Sequence, residues 1–214
     1  MTQPPVAKKL SAPTLSRLPQ YLRYLEALHA DGTGHATSAE LAEVLGVSDA
    51  LTRKDVSALG HSGRAGLGYS VEALRYTIAR ILGVTSGRRV LLVGAGNLGA
   101  ALMSYQGFGA RGMTITAVAD NDPDKVGQIH GGHKVLDINA IGTDHDMELA
   151  IVAVPGDVAQ EVANTLVAAG ITGILNFAPR RLHVPDHVIV RTVDLSADLQ
   201  ILGFHREGAS GLPF

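Results

Sequence analysis

The chain has 214 residues, a length that allows one large domain or two small ones. Hydrophobic residues make up 46% of it and charged residues 18%, which excludes a long disordered chain. No apolar run reaches the roughly 18 residues of a membrane-spanning helix, so no membrane partner is expected. The sequence has no cysteine, which excludes a disulfide framework, a thiolate nucleophile and a cysteine-based metal site.

The net charge of −2 is unevenly distributed along the chain. Residues 1–83 carry 9 Lys and Arg against 7 Asp and Glu, whereas residues 84–214 carry 9 against 13. The mildly basic first part is weak support for an anionic partner. The N-terminal residues lack the apolar segment of a signal peptide, so we expect a flexible arm on a cytoplasmic protein.

Four helices are predicted in residues 1–83. The first has leucines at helical spacing, with Thr14 or Ser16 as its N-cap. The second begins with the capping box Thr37–Glu40 and ends at Gly46. Ser48 caps the third helix after a very short turn. Two short helices joined in this way form a helix-turn-helix.

The residues after this pair of helices complete a winged helix. Arg53 and Lys54 fall on a different side of the third helix from its apolar residues. Four glycines in residues 60–69 supply the backbone freedom of a tight hairpin. Ser70 caps a fourth helix that ends at Gly83. Residues 1–83 are therefore predicted to be a winged-helix DNA-binding domain.

Residues 84–214 alternate between strands and helices. The strands are short β-branched apolar runs without polar alternation, which is typical of a parallel sheet covered on both faces. This pattern predicts an α/β fold, a doubly wound Rossmann domain. The predicted strands are RVLLV, TITAVA, LAIVAV, GILNF and HVIVRTV, and the predicted helices begin at Asn97 and Asp157.

A glycine fingerprint, Gly94-Ala-Gly96-Asn-Leu-Gly99, joins the first of these strands to the first helix. In a dinucleotide-binding unit the first glycine permits the tight turn and the second lets the pyrophosphate approach the backbone. The third allows the helix to pack closely on the strand. The pyrophosphate then lies at the helix N-terminus.

Asp120 ends the second predicted strand, where a carboxylate can bind a ribose hydroxyl, and Asn121 and Asp122 can share this role. No Arg or Lys comes between Asp120 and Lys125, which favours NAD over NADP. Two further strand ends face the same crevice, one at Val154-Pro155 and one at Asn176. Each proline near these ends can also simply stop its strand.

Several features that an enzyme needs are missing from the sequence. A dehydrogenase requires a substrate domain and a proton-transfer residue, and the chain ends soon after the predicted sheet. The nearest pair of histidines, His130 and His133, lies in a predicted loop without the spacing of a metal site. We therefore expect no catalytic residue and no metal.

The chain resembles the redox-sensing transcriptional repressors of the Rex family over nearly its whole length. The segments that carry the resemblance are TLSRLPQYLRYL (14–25), SAELAEVLGV (38–47), RKDVSALG (53–60), GLGYSV (66–71), VGAGNLGAAL (93–102), GILNFAP (173–179) and VDLSADLQIL (193–202). The resemblance implies a homodimer that binds palindromic operator DNA when NAD is bound or NADH is low. It also implies that NADH closes the dimer and releases the DNA.

The resemblance also assigns roles to individual residues. Arg53 and Lys54 match the recognition-helix pair, and Arg17 matches a contact to the DNA backbone. Ser48 is also an expected DNA contact. The family usually has a basic residue just before the Gly-x-Gly-Tyr of the wing. Here that position is Ala65, and Arg64 one place earlier is the candidate for the minor groove.

A second set of residues matches the cofactor pocket and the switch of the family. Arg23, Tyr105 and Asp194 match a network that links the DNA-binding domain, the nicotinamide pocket and the partner subunit. Asp194 also suits the N-cap of the apolar helix 195–204, which the family exchanges between subunits. The expected cofactor contacts are Gly94, Ala95, Gly96, Asn97, Leu98, Gly99, Tyr105, Asp120, Asn121, Val154, Pro155 and Asn176.

Two other functions fit part of the sequence. One is a small NAD-dependent oxidoreductase subunit whose substrate site a partner completes, and the other is a scaffold in which the nucleotide is structural. Neither explains the basic helix and the glycine-rich wing of residues 1–83. The sequence therefore favours a repressor that responds to the NADH/NAD ratio.

Overall fold

The computed structural model describes residues 10–143 and 146–208. Most of the predicted N-terminal arm, residues 1–9, lies outside the described residues. The chain divides into two compact units between Gly87 and Arg88. The short turn Val84–Ser86 belongs to the first unit, because Val84 packs against its core. No described helix is long and apolar enough to cross a membrane.

The first unit consists of four helices and one pair of short strands. Leucines of the first helix pack against apolar residues of the third and fourth helices in a single core, which includes Leu18, Leu22, Val56, Leu74 and Ile78. The helices are α1 (Ala12–Ala30), α2 (Ser38–Leu45), α3 (Asp49–Ala58) and α4 (Val71–Leu82), and the antiparallel strands are β1 (His35–Ala36) and β2 (Tyr69–Ser70).

Most of the predicted helix ends are confirmed. The capping box of α2 forms as predicted, with Thr37 and Glu40 each accepting a backbone N–H of the other residue. Ser48 and Ser70 cap α3 and α4. The predicted cap of α1 is wrong, because Ser11 accepts the N–H of Thr14 instead.

The wing differs from the predicted hairpin. Its loop is closed by backbone bonds between Arg64 and Gly68, but the strand that follows pairs with β1, far away in the sequence. Gly68 lies so close to β1 that an added Cβ would be 2.3 Å from the carbonyl oxygen of Ala36. This approach explains why a glycine is needed there.

The second unit is a seven-stranded sheet with order β5-β6-β4-β3-β7-β8-β9. Six strands are parallel, and their order from β6 to β9 is the 3-2-1-4-5-6 order of a Rossmann fold. The strands are β3 (Arg88–Val93), β4 (Met113–Asp120), β5 (Ile129–His130), β6 (His133–Asp137), β7 (Leu149–Val152), β8 (Gly173–Asn176) and β9 (Ile189–Thr192). The helices are α5 (Asn97–Met103), α6 (Ala159–Ala168) and α7 (Leu195–Gly208).

Each face of this sheet packs into its own core. Leu91 and Val93 belong to the core that contains α6, whereas Val90 and Leu92 face the core to which Leu102 of α5 contributes. Successive strand side chains point to opposite faces, so both faces are buried. The predicted α/β fold, a winged helix followed by a doubly wound sheet, is confirmed.

A hairpin of β5 and β6 stands where the sequence predicted a loop. His130 and His133, predicted to lie in a loop, are paired across its turn, and Gly131 and Gly132 at the turn both have positive φ. Such a two-residue turn suits the twist of a hairpin. Within residues 10–143 and 146–208 no cluster of three or more His, Asp or Glu side chains could hold a metal ion.

A buried polar cluster ties α1 to α3. The Asp55 carboxylate accepts bonds from Arg17 Nε (2.6 Å) and Nη2 (2.7 Å), from the hydroxyl of Thr14 (3.0 Å) and from that of Tyr21 (3.2 Å). The Tyr21 hydroxyl also forms a hydrogen bond with the hydroxyl of Thr52 (3.3 Å). Burial raises the pKa of Asp55, but these bonds outweigh burial and hold the pKa below its ordinary value.

We predict that Asp55→Ala destabilises the protein by about 3 kcal/mol, because it leaves the guanidinium of Arg17 and two hydroxyls without their acceptor. Urea unfolding followed by circular dichroism measures the loss. Glu43→Ala, at an exposed position of α2, serves as the control and is expected to change stability by less than about 0.5 kcal/mol.

The parent and Asp55→Ala together test how the contribution of Asp55 to stability depends on pH. The lowered pKa of Asp55 means that its contribution is complete above the unfolded pKa of about 4 and is lost as the pH falls through the folded pKa. The stability difference between the parent and Asp55→Ala should therefore shrink below pH of about 4. Equal stability of the parent and Asp55→Ala at neutral pH would contradict the stabilising role of Asp55.

Candidate functional site

A cleft of about 560 Å³ opens at the carboxyl ends of β3, β4 and β7. This is the point where the strand order reverses, the usual place for a ligand in an open α/β sheet. The volume lies within the range of small-molecule and cofactor sites. Six of the predicted contact residues line the cleft, namely Gly94, Gly96, Asp120, Asn121, Val154 and Pro155.

The three glycines of the fingerprint have different reasons to be glycine. Gly94 has φ +103°, and an added Cβ would be 2.3 Å from the carbonyl oxygen of Ala153. A Cβ on Gly99 would be 1.9 Å from the carbonyl oxygen of Gly94. A Cβ on Gly96 would meet nothing within 4 Å. Internal packing thus explains Gly94 and Gly99, whereas Gly96 borders open space in the cleft.

Asp120 braces the glycine loop. Its Oδ2 accepts the N–H of Ala95 (2.8 Å) and a bond from Lys125 (3.2 Å), and its Oδ1 accepts the N–H of Asp122 (3.0 Å). Burial raises the pKa of Asp120, but the bonds from these donors outweigh burial and lower it below its usual value. The carboxylate that was expected to bind ribose is therefore engaged by protein donors on both oxygens.

Asp122 is more accessible than Asp120, the other carboxylate at the end of β4. Its side chain is 39% exposed, compared with 8% for Asp120. Lys125 lies between the two, 3.3 Å from Asp122, and holds both. Burial lowers the pKa of Lys125, but its bonds to the two carboxylates outweigh burial and raise it. No signal in the sequence indicates that Lys125, the first cation after Asp120, lines the cleft.

Several predicted cofactor contacts have structural roles. Asn176 is fully buried: its amide donates to the carbonyls of Ala178 (3.1 Å) and Arg180 (2.9 Å), and its Oδ1 accepts the N–H of Ala178 (3.0 Å). It shapes the turn after β8. Among the described residues, the cleft lining does not include Ala95, Asn97, Leu98, Gly99, Tyr105 or Asn176.

Tyr105 is half-exposed after α5. Its ring packs edge-on against Phe108, with ring centroids 5.1 Å apart, and covers Gly107. Asp194 caps α7, since its Oδ1 accepts the N–H groups of Ser196 (3.0 Å) and Ala197 (3.1 Å). The bond from the Ser196 hydroxyl to the same oxygen (2.5 Å) and these two N–H groups lower the pKa of Asp194.

The helix α7 carries large apolar side chains that are strongly exposed. Their exposed fractions run from 57% to 68% for Leu195, Leu199, Ile201, Leu202 and Phe204. By helical spacing, Leu195, Leu199 and Leu202 share one side of α7, and Ile201 and Phe204 share the other. Exposed apolar side chains in this number mark an interaction site.

The predicted DNA-contacting residues lie on the surface of the first unit. Arg53 and Lys54 of α3 are exposed. Arg53 forms an ion pair with Asp49 one turn earlier, and its Nε donates to the hydroxyl of Ser38 (3.2 Å). Arg64 and Ala65 are both exposed in the loop of the wing.

The other predicted contacts of this unit are more constrained. The Ser48 hydroxyl accepts the N–H of Leu51 (3.2 Å) as the cap of α3. The side chain of Arg17 is only 18% exposed, because Asp55 holds its Nε and Nη2. Two N–H groups of Nη1 and one of Nη2 are left for another acceptor. Arg23 is exposed on α1.

Comparison with known proteins covers both units. Residues 85–180 match a family model described as "CoA binding domain", and residues 9–57 match one described as "Putative DNA-binding protein N-terminus". A redox-sensing transcriptional repressor Rex from Streptomyces coelicolor is 47% identical over 201 residues, which are 92% of this chain and 78% of that protein.

Two solved structures have a similar fold. The crystal structure of RSP in complex with beta-NAD+ and operator DNA is 34% identical, with a TM-score of 0.85 over 94% of this chain and 93% of that one. The crystal structure of RSP in complex with beta-NADH is 33% identical, with a TM-score of 0.82 over 94% and 95%. The resemblance found in the sequence is thus confirmed, and the chain belongs to the Rex family of redox-sensing transcriptional repressors.

Proposed function

We propose that the chain is a transcriptional repressor that binds operator DNA as a homodimer, is released by NADH and so responds to the NADH/NAD ratio. The observation that carries this proposal is the presence, on one chain, of a winged helix with an exposed Arg53–Lys54 pair and a Rossmann cleft. Relatives that span both units are named repressors, and a similar protein has been crystallised with NAD+ and operator DNA. The chain acts by binding, and we assign it no catalytic residue.

The cleft fits a dinucleotide such as NAD or NADH. The open space at Gly96 allows a pyrophosphate to approach the backbone, whereas a side chain there would fill it. Asn121 and Asp122 lie at the end of β4, where a ribose is expected, and Asp122 is accessible enough to accept its hydroxyls. Val154 and Pro155 form the opposite wall, after β7.

The first unit fits the major groove of DNA. Arg53 must release its bonds to Asp49 and Ser38 to reach a base, and exposed pairs of this kind contribute little. A helix-turn-helix places the residues of its second helix, here Arg53 and Lys54, against base edges. Arg64 on the wing suits the adjacent minor groove.

Exposed apolar residues on α7 support a homodimer. A helix with such a surface is stabilised when a partner covers it, and a second copy of the chain provides the identical helix. A two-fold symmetric dimer presents two recognition helices related by symmetry, which matches a palindromic operator.

A band-shift assay on a palindromic site tests the proposed function. The protein should shift the DNA alone and in the presence of NAD, with two chains per site, and NADH should abolish the shift. A protein that binds NADH but no DNA under any of these conditions would favour the oxidoreductase alternative.

We predict that Arg53→Ala and Lys54→Ala weaken operator binding and leave NADH affinity unchanged, since the two residues are on the other unit from the cleft. A contact to a base edge carries about 1–3 kcal/mol of discrimination, so its loss relaxes sequence preference. A contact to phosphate instead weakens all DNA alike and reduces the salt dependence. Normal operator binding by the double variant would refute the recognition-helix assignment.

We predict that the parent protein binds NADH more tightly than NADPH, because the accessible carboxylate of Asp122 repels a 2′-phosphate. Asp122→Asn should narrow this preference by about tenfold, since two charges near a protein surface interact by a few kcal/mol. Asp124→Asn, two residues further on and exposed, is the matched control. Fluorescence titration with each nucleotide gives the affinities, and equal effects of both variants would contradict the role of Asp122.

We predict that Tyr105→Phe and Asp194→Asn retain NADH binding but lose much of the difference between NAD and NADH in DNA release. The two nucleotides differ in the charge of the nicotinamide, so only contacts near that ring can move the equilibrium. A ligand that moves the ratio of two conformations from 1:99 to 99:1 must bind the favoured conformation more tightly by about 5.5 kcal/mol.

Asparagine keeps the oxygen that caps α7, so Asp194→Asn removes charge without removing the cap. Band shifts at fixed total nucleotide and varied NADH/NAD ratio compare the variants with the parent. If both variants release DNA at the parental ratio, the proposed network of Arg23, Tyr105 and Asp194 is not the switch.

A further inference from the structure

Asp55 lies next to the Arg53–Lys54 pair in the sequence but on the opposite, buried side of α3. Its side chain is 1% exposed, and each of its two oxygens accepts two hydrogen bonds. The residues that donate these bonds, Thr14, Arg17 and Tyr21, all lie on α1. A carboxylate with all its bonds satisfied in this way has a single arrangement.

We propose that Asp55 is a positioning residue for DNA binding, which fixes the rotation of α3 on α1 and directs the guanidinium of Arg17. This inference rests on the proposed DNA-binding function and adds a residue that does not itself touch DNA. The bidentate bond to Asp55 uses the N–H of Nε and one N–H of Nη2, so Arg17 keeps the other N–H of Nη2 and the two of Nη1 for a phosphate.

A second connection runs through Tyr21. Its hydroxyl donates to Asp55 and forms a second hydrogen bond with the hydroxyl of Thr52, which lies one residue before Arg53. The side chain of Thr52 is therefore held from α1 within the same cluster. Arg53 and Lys54 project from the other side of a helix whose rotation this cluster fixes.

The sign of one substitution separates positioning from simple electrostatics. Asp55 is a negative charge in a unit proposed to bind a polyanion, so removing that charge should strengthen DNA binding if charge alone mattered. If Asp55 positions Arg17 and α3, the same change weakens binding although the unit becomes more basic. A role in stability alone would leave the affinity of the folded protein unchanged.

The test uses Asp55→Asn in the full chain, with folding checked by circular dichroism and by an unchanged NADH affinity. We expect about tenfold weaker operator binding, which corresponds to about 1.4 kcal/mol. The loss of one hydrogen bond to a charged group accounts for a change of this size. The slope of log affinity against log salt should fall by about 1 per subunit as the Arg17 contact is lost. Glu43→Gln removes an exposed carboxylate from the same unit and should leave binding unchanged or slightly tighter.

A double-mutant cycle completes the test. Arg17→Ala should weaken binding by no more than Asp55→Asn does, and the two changes together should cost no more than Asp55→Asn alone. Operator binding by folded Asp55→Asn at or above the parental affinity, or fully additive losses, would overturn the proposal.

Two further variants decide the outcome if Asp55→Asn fails to fold. Arg17→Lys keeps the charge but not the bidentate geometry, and Tyr21→Phe removes one donor to Asp55. Both should weaken operator binding, and parental affinity in both would overturn the inference. A parent that binds no palindromic DNA would instead refute the proposed function.

Discussion

The close approach of three strand ends is the constraint on which the nucleotide site depends. The backbone after β3 passes so near to the backbone after β7 that only a glycine fits at position 94. Asp120 at the end of β4 then accepts the N–H of Ala95 and fixes the next residue of the loop. The loop is thus held from two neighbouring strands, and the cleft lies where Gly96 leaves the backbone open.

The two units position their functional groups by the same physical means. In each, an apolar core sets the approximate packing, and one buried carboxylate fixes the detail. Asp120 braces the glycine loop in the second unit, and Asp55 joins α1 to α3 in the first. Both carboxylates are nearly inaccessible to water, so removing a partner leaves a buried group unsatisfied.

Most of the fold is predictable because its signals are local. Thr37, Ser48 and Ser70 cap helices through bonds to residues three positions away, and β-branched runs separated by helices specify the parallel sheet. The hairpin of β5 and β6 was missed because its residues are mainly polar and histidine-rich. The pairing of β1 with β2 joins two-residue strands far apart in the sequence and has no local pattern.

The candidate site was predictable in position but not in bonding. The fingerprint placed the cleft at Gly94 and Gly96, and the structure puts both in its lining. The partners of Asp120 and Asn176 come from backbone groups whose direction depends on the tertiary fold. Similarly, the sequence alone suggests that Arg17 is an exposed cation. Only the packing of α1 on α3 shows that a buried carboxylate holds it.

We infer that NADH, unlike NAD, competes with operator DNA through one conformational equilibrium. Coupling between two binding sites is reciprocal, so the factor by which NADH weakens operator binding must equal the factor by which operator weakens NADH binding. The most direct measurement is the dissociation constant of NADH, from fluorescence titration, with and without saturating palindromic DNA. We expect weaker NADH binding in the presence of operator, by the factor seen in the DNA titration, and an unchanged NADH affinity would contradict this coupling.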